Sequence, residues 1–190
     1  MVNQLQTKTR LTAAAFFQMP ETNTPEELLD GEVIMSPPPV PKHQSVAFKT
    51  GKLLDSLIPN GEVFVAPVGV LLDEANVPEP DVVWVSESGT CRIGERYLEG
   101  APDLIVEVLS PGTALRDKTT KFRLYERHGV KEYWLADPDA QYLEVWRLDE
   151  DRFIQQGVYG PGATFESAAL GGKTVDLSAV FPGEKNEAKK

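Results

Sequence analysis

Glu107 stands in the run Asp103-Leu104-Ile105-Val106-Glu107-Val108-Leu109, with apolar side chains at both positions on either side of it. Alternation along a strand puts Leu104, Val106 and Val108 on one face and Ile105, Glu107 and Leu109 on the other. Both faces are otherwise apolar, which is the pattern of a central strand covered on both sides. An ionised carboxylate left unpaired in such a place costs several kcal/mol. Glu107 therefore needs a proton, a basic side chain or a metal ion.

Asp81 follows Pro80 and opens the run Val82-Val83-Trp84-Val85. By itself it reads as a turn residue. If its strand neighbours that of Glu107, the two carboxylates converge. A pair of carboxylates completed by water suits Mg2+ or Mn2+, hard ions that prefer oxygen. Such an ion polarises a phosphoryl oxygen and activates water. The positive partner comes from the next helical segment, where Asp117, Lys121 and Tyr125 fall at i, i+4 and i+8 and share a stripe. Lys121 either reaches the carboxylates or forms an ordinary surface pair with Asp117, and Lys118 competes for the same role. Glu32 and His43 are weaker candidates. The first is a third ligand or a solvated hairpin residue; the second contacts phosphate or caps its helix.

Other chemistries lack their residues. The chain has no G-x-S-x-G elbow, no Walker loop and no G-x-G-x-x-G run. Two histidines, His43 and His128, are too few for a His-rich zinc site. The single cysteine, Cys91, has no evident base and excludes an intrachain disulfide. The N-terminus lacks the apolar core of a signal peptide, and no apolar run is long enough to span a bilayer. These features predict a cytoplasmic protein without a membrane partner.

The elements that must position these residues follow from periodicity. A short helix is predicted over 11–19 and a hairpin around Asp30-Gly31, because a type I′ turn needs positive φ at both central residues. A helix over 43–58 follows a proline run, and 63–72 reads as a strand bent at Pro67 and Gly69. Strands are predicted at 81–85 and 103–109, with a loop at 86–100 between them. Thr113 is placed as N-cap of a helix that runs to His128 and stops at Gly129. Strands follow at 133–136, 142–148 and 152–156. The fold class is thus α/β, a mixed α+β sheet in the order helix, three strands, helix, strand, with an N-terminal hairpin and C-terminal strands added. At 190 residues, one domain over 1–182 with a disordered tail at 183–190 is expected.

This order resembles the restriction-endonuclease-like, or PD-(D/E)xK, fold. Several runs are similar to the Uma-type family of bacterial restriction endonucleases: Leu29-Asp30-Gly31-Glu32, the prolines before His43, Pro80-Asp81, and Pro102 through Pro111. The similarity continues through Asp117, Lys121, Tyr125 and Gly129 to Trp134. The resemblance implies a metal-dependent endonuclease, an endodeoxyribonuclease using Mg2+ or Mn2+ held by Asp81 and Glu107. Asp81 matches the Asp of the PD element and Glu107 the (D/E). The usual lysine position is Leu109, so the resemblance assigns that role to Lys121 on the helix. Asp103, on the same strand as Glu107, is secondary.

The formal charge of −10 opposes binding to a polyanion. Between Thr113 and Lys131, however, six basic residues face two acidic ones, a local excess of four. That helix is expected to receive a nucleic-acid backbone, most simply DNA, with weak and salt-sensitive affinity. A homodimer pairing the 142–148 strand across a two-fold axis would suit double-strand cutting. The competing readings are a catalytically inactive binding protein on the same fold, consistent with the acidic charge and Leu109, and a small-molecule hydrolase or isomerase using Glu107 as base.

Overall fold

The computed structural model describes residues 10–20, 22, 24–58 and 60–182; the expected tail at 183–190 lies outside them. A short helix α1 (Ala13–Phe16) is capped by Thr12, whose hydroxyl accepts the Ala15 N–H. Strands β1 (Glu26–Leu29) and β2 (Glu32–Met35) form the predicted hairpin. Asp30 and Gly31 adopt φ of +48° and +76°, as a type I′ turn requires. Helix α2 (Pro41–Leu57) begins two residues before the predicted start, with its proline in the first turn, where a missing N–H costs nothing.

The predicted 63–72 strand is two strands in different sheets, β3 (Glu62–Val65) and β4 (Val70–Leu71), separated where Pro67 and Gly69 marked a bend. After β5 (Val82–Val85), the predicted loop contains two short strands, β6 (Arg92–Ile93) and β7 (Leu98–Glu99). These join β4 in a small three-stranded sheet. Next come β8 (Leu104–Val108) and a continuous helical rod. The rod is α3 (Ala114–Arg116), one π-helical turn over Asp117–Lys121, and α4 (Phe122–His128). Thr113 precedes the rod but makes no capping bond; its hydroxyl pairs with Ser110 Oγ at 3.0 Å. Gly129, at φ +83°, ends the rod in the left-handed conformation predicted for it.

Strands β9 (Glu132–Asp137), β10 (Tyr142–Asp149) and β11 (Arg152–Tyr159) follow. A further hairpin, β12 (Thr164–Ser167) and β13 (Lys173–Asp176), escaped the sequence reading because its short polar strands lack an alternating pattern long enough to register. The main sheet runs β11–β10–β9–β8–β5–β3, with β8 parallel to β9 and antiparallel to β5. Strand β10 is bonded on both sides, so the 142–148 segment has no free edge to offer a second copy.

Strand β8 is central and wholly buried, as its two-sided apolar pattern required. Leu104, Val106 and Val108 pack with Val46, Ala47 and Leu54 of α2 and with the C-terminal hairpin. Gly51 lets α2 approach this face: a Cβ there would lie 2.8 Å from Val65 Cγ2. Ile105 and Leu109 pack on the opposite face against Leu124 and Tyr125 of α4. Phe122 lies edge-on to Trp146 and Phe153, with centroids 4.9 and 5.1 Å apart, and Tyr125 to Tyr133 at 5.1 Å. Each such pair adds about 0.5–1.5 kcal/mol to area burial, which holds the rod against the face that carries Glu107.

Candidate active site

Val82 pairs with Val106 across β5 and β8, so continuing the register by one residue brings Asp81 beside Glu107, and both line one pocket. The two strands thus bring together the carboxylates that the sequence placed apart. Asp81 Oδ2 accepts the Val108 N–H at 2.7 Å and lies 3.2 Å from His43 Nε2 of α2. Glu107 Oε1 accepts from Lys121 Nζ at 2.8 Å and from the Tyr125 hydroxyl at 2.7 Å. Both bonds fall on one oxygen; Oε2 takes neither. Leu109, the usual lysine position, is buried among the apolar residues against α4.

The helical stripe converges as its spacing implied. Asp117, Lys121 and Tyr125 are all buried, and Lys121 Nζ lies 3.9 Å from Asp117 Oδ1. The π-helical turn widens the rod at this stripe. Thr119 Oγ donates back to the Leu115 carbonyl, and the Asp117 carbonyl accepts the Tyr133 hydroxyl at 3.1 Å, which satisfies a group the wider turn would strand.

Lys121 has a second carboxylate that the sequence reading missed. Glu27 of β1 lies 2.5 Å from Nζ; it also accepts the Glu79 N–H at 2.9 Å, and Arg116 Nη1 approaches it at 3.5 Å. The hairpin was read as a source of Glu32, but Glu32 is exposed, while Glu27 on the partner strand is buried. The buried pattern of β1 is the signal that distinguishes them, and a strand of four residues is too short to reveal it by alternation alone.

Three other expectations are corrected. Lys118 does not compete for the site; it pairs with Glu144 at 2.7 Å on the surface beside the Tyr142 ring. Asp103 is buried at the opposite end of β8, accepting the Ser86 N–H at 2.8 Å and pairing with Lys131. It fastens a loop and does not line the pocket. The basic helix is no open positive strip, because five of its six cations already face carboxylates. Lys121 and Arg116 face Glu27, Lys118 faces Glu144, Arg127 faces Asp30 at 3.1 Å and Lys131 faces Asp103.

These groups form the floor of a pocket of about 440 Å³. Five carboxyl groups line it (Glu27, Glu79, Asp81, Glu107, Asp117) against the permanent cations Lys121 and Arg116. Burial, only partly countered by Lys121, holds the Glu107 carboxyl well above the carboxylate range, with Asp117, Asp81 and Glu27 adding to the rise. Burial likewise pushes Asp117 up to about 6 and raises Glu79, whose neighbour Glu27 adds repulsion. His43 is pulled down by burial, but its hydrogen bond to Asp81 and the Asp81 charge outweigh this and raise it.

The contrast with Glu132 is informative. That carboxylate is equally buried in the sheet, yet takes hydrogen bonds from Trp134 Nε1, Ser167 Oγ and the Ala169 N–H at 2.7–3.0 Å. It is satisfied by neutral donors, whereas Glu107 is partnered by the Lys121 ammonium and the Tyr125 hydroxyl beside a cavity. Among the described residues, no three of His, Cys, Asp and Glu form a ready-made metal cage. Cys91 is buried elsewhere, its thiol pushed up to about 11 by burial and then by Asp103. No helix among the described residues is long and apolar enough to cross a membrane.

Comparison with known proteins fits this geometry. A solved structure from Anabaena variabilis ATCC 29413, titled a "putative nuclease belonging to DUF820", superposes with a TM-score of 0.73. It covers 90% of this chain and 97% of its own at 23% identity, a likeness of fold. The uncharacterized protein sll1609 of Synechocystis sp. is 30% identical over 147 residues, 75% of this chain and 83% of that protein. The profile of the Uma2 family, described as "Putative restriction endonuclease", matches residues 13–178. Fold and sequence agree, and the chain belongs to the Uma2 family.

Proposed function

We propose that the protein is a metal-dependent endonuclease that hydrolyses nucleic-acid phosphodiester bonds, with DNA as its simplest substrate. The observation that supports this most directly is the position of Asp81 beside Glu107 on adjacent strands, with the Lys121 ammonium on Glu107, at the floor of an open pocket. Asp81 and Glu107 would hold Mg2+ or Mn2+. The ion, when bound, supplies a polarised phosphoryl oxygen and an activated water. The remaining work falls to the chain. Lys121 offsets negative charge that develops on the phosphorus oxygens, and its burial among low-dielectric walls strengthens that effect. Tyr125 fixes the Glu107 carboxyl, while His43 and the Val108 N–H fix that of Asp81. Arg116 lines the pocket and can donate to a non-bridging phosphate oxygen.

The test is plasmid nicking by purified protein with Mn2+. Glu107→Gln should abolish nicking with the circular dichroism spectrum unchanged. Undiminished nicking in that variant would remove Glu107 from the mechanism. A second reading, a binding protein without hydrolytic activity, is favoured by Lys121 being shared between two carboxylates and by Leu109. Calorimetric titration separates them: the nuclease binds Mn2+ in the millimolar range or tighter, and the inactive form does not.

A further inference from the structure

We propose that the strand entering this pocket is unpaired: a single-stranded segment, a gap or a strand end, and not the face of a continuous duplex. The inference deepens the nuclease reading and rests on it.

Two independent observations carry it. The first is the neutralised helix. Proteins hold a duplex chiefly through cations on its phosphates. Here five of the six basic residues between Thr113 and Lys131 are committed to carboxylates of the same chain, so the helix offers a duplex no open positive strip. The second is the pocket wall. Besides the carboxylates, Pro37, Pro38, Pro39, Val40, Pro67 and Pro111 line the pocket. Of these, Val40 is 61% exposed.

These proline rings and Val40 have no complement on the sugar–phosphate outer surface of a duplex. They have one in a nucleobase. Proline rings are rigid, so contacts with them cost little further ordering. A volume of about 440 Å³ falls in the range of small-molecule pockets and suits one nucleotide unit, not a helix. Drawing a base out of a duplex costs a few kcal/mol, and an already single strand avoids that cost.

The experiment uses the full chain and three labelled DNAs of equal length: a single strand, a blunt duplex, and the same duplex with a short single-stranded gap. With Mn2+, the single strand and the gap should be cut about tenfold or more faster than the continuous duplex, a difference of about 1.4 kcal/mol. Equal or faster cutting of the continuous duplex overturns the inference. Anisotropy with Ca2+ in place of Mn2+ reads binding without cleavage. Tighter binding of the single strand supports the inference even if nothing is cut, in which case the nuclease reading alone fails; equal or tighter duplex binding overturns it, and no binding of either overturns both. Val40→Glu at the exposed rim should weaken single-strand binding about tenfold. Unchanged binding, or a dimer in the wild type that this variant splits without effect on the strand, assigns the rim to another occupant and overturns the proposal.

Discussion

Lys121 and Glu27 meet 2.5 Å apart, one from the helix that follows the central strand and one from the N-terminal hairpin. Both are buried, and the same ammonium reaches Glu107 at 2.8 Å. The charge that offsets the candidate active centre is therefore held in place by a segment far from it in sequence.

Removing Glu27 should be costly. Glu27→Ala takes away an acceptor used by Lys121 and by the Glu79 N–H, and leaves Arg116 only its bond to Ser36 Oγ. Loss of one partner from a buried ion pair costs about 3–5 kcal/mol. Urea denaturation should show that loss, with Glu27→Gln retaining part of the stability because it still accepts from Glu79. Coincident midpoints for wild type and Glu27→Ala would show that the pair contributes nothing.

Tyr125→Phe separates positioning from packing. The ring keeps its edge contact with Tyr133, but the hydroxyl no longer donates to Glu107. A lost buried hydrogen bond of this kind costs about 1–2 kcal/mol in thermal or urea unfolding. Mn2+-dependent nicking should fall by more than the fraction unfolded, because Glu107 then keeps only Lys121 to orient it. Nicking equal to wild type would deny Tyr125 any positioning role.

Acid stability should depend on Asp73. Burial pushes this carboxyl up, but Asn76, the Ala75 N–H and His128 together outweigh it and hold it below its ordinary 3.8. A depressed folded-state value contributes stability above the unfolded one, and that contribution disappears as pH falls through 3.8 and below. Asp73→Asn should therefore lower stability at pH 7 and flatten the acid limb of a stability–pH curve. Parallel curves for the two proteins would contradict the linkage. The group is partly exposed, so added salt should shrink the difference.

How much of this was legible beforehand depends on the range over which each feature is determined. The Asp30-Gly31 turn, the burial of Glu107 and the helix stop at Gly129 are set by neighbours a few residues away, and each appears as its local pattern implied. The stripe of Asp117, Lys121 and Tyr125 was readable for the same reason. Spacing favoured Lys121 over Lys118, but nothing local marked Glu27 of the same hairpin as the buried carboxylate in place of Glu32, because only tertiary packing turns it inward. The basic helix misled for a related cause: its neutralising partners, Asp30, Asp103 and Glu144, lie on other elements, so a local charge count registers the cations without their counterions.

The π-helical rod has a consequence for how the molecule assembles. Strands β5 and β8 can pair without it, but doing so sets Asp81 against Glu107 with no ammonium between β8 and the hairpin. A sheet formed ahead of its helix would be electrostatically self-repelling, and a hairpin folded early would have nowhere to anchor Glu27. One side chain thus latches three separately built pieces: the central strand, the rod and the N-terminal hairpin.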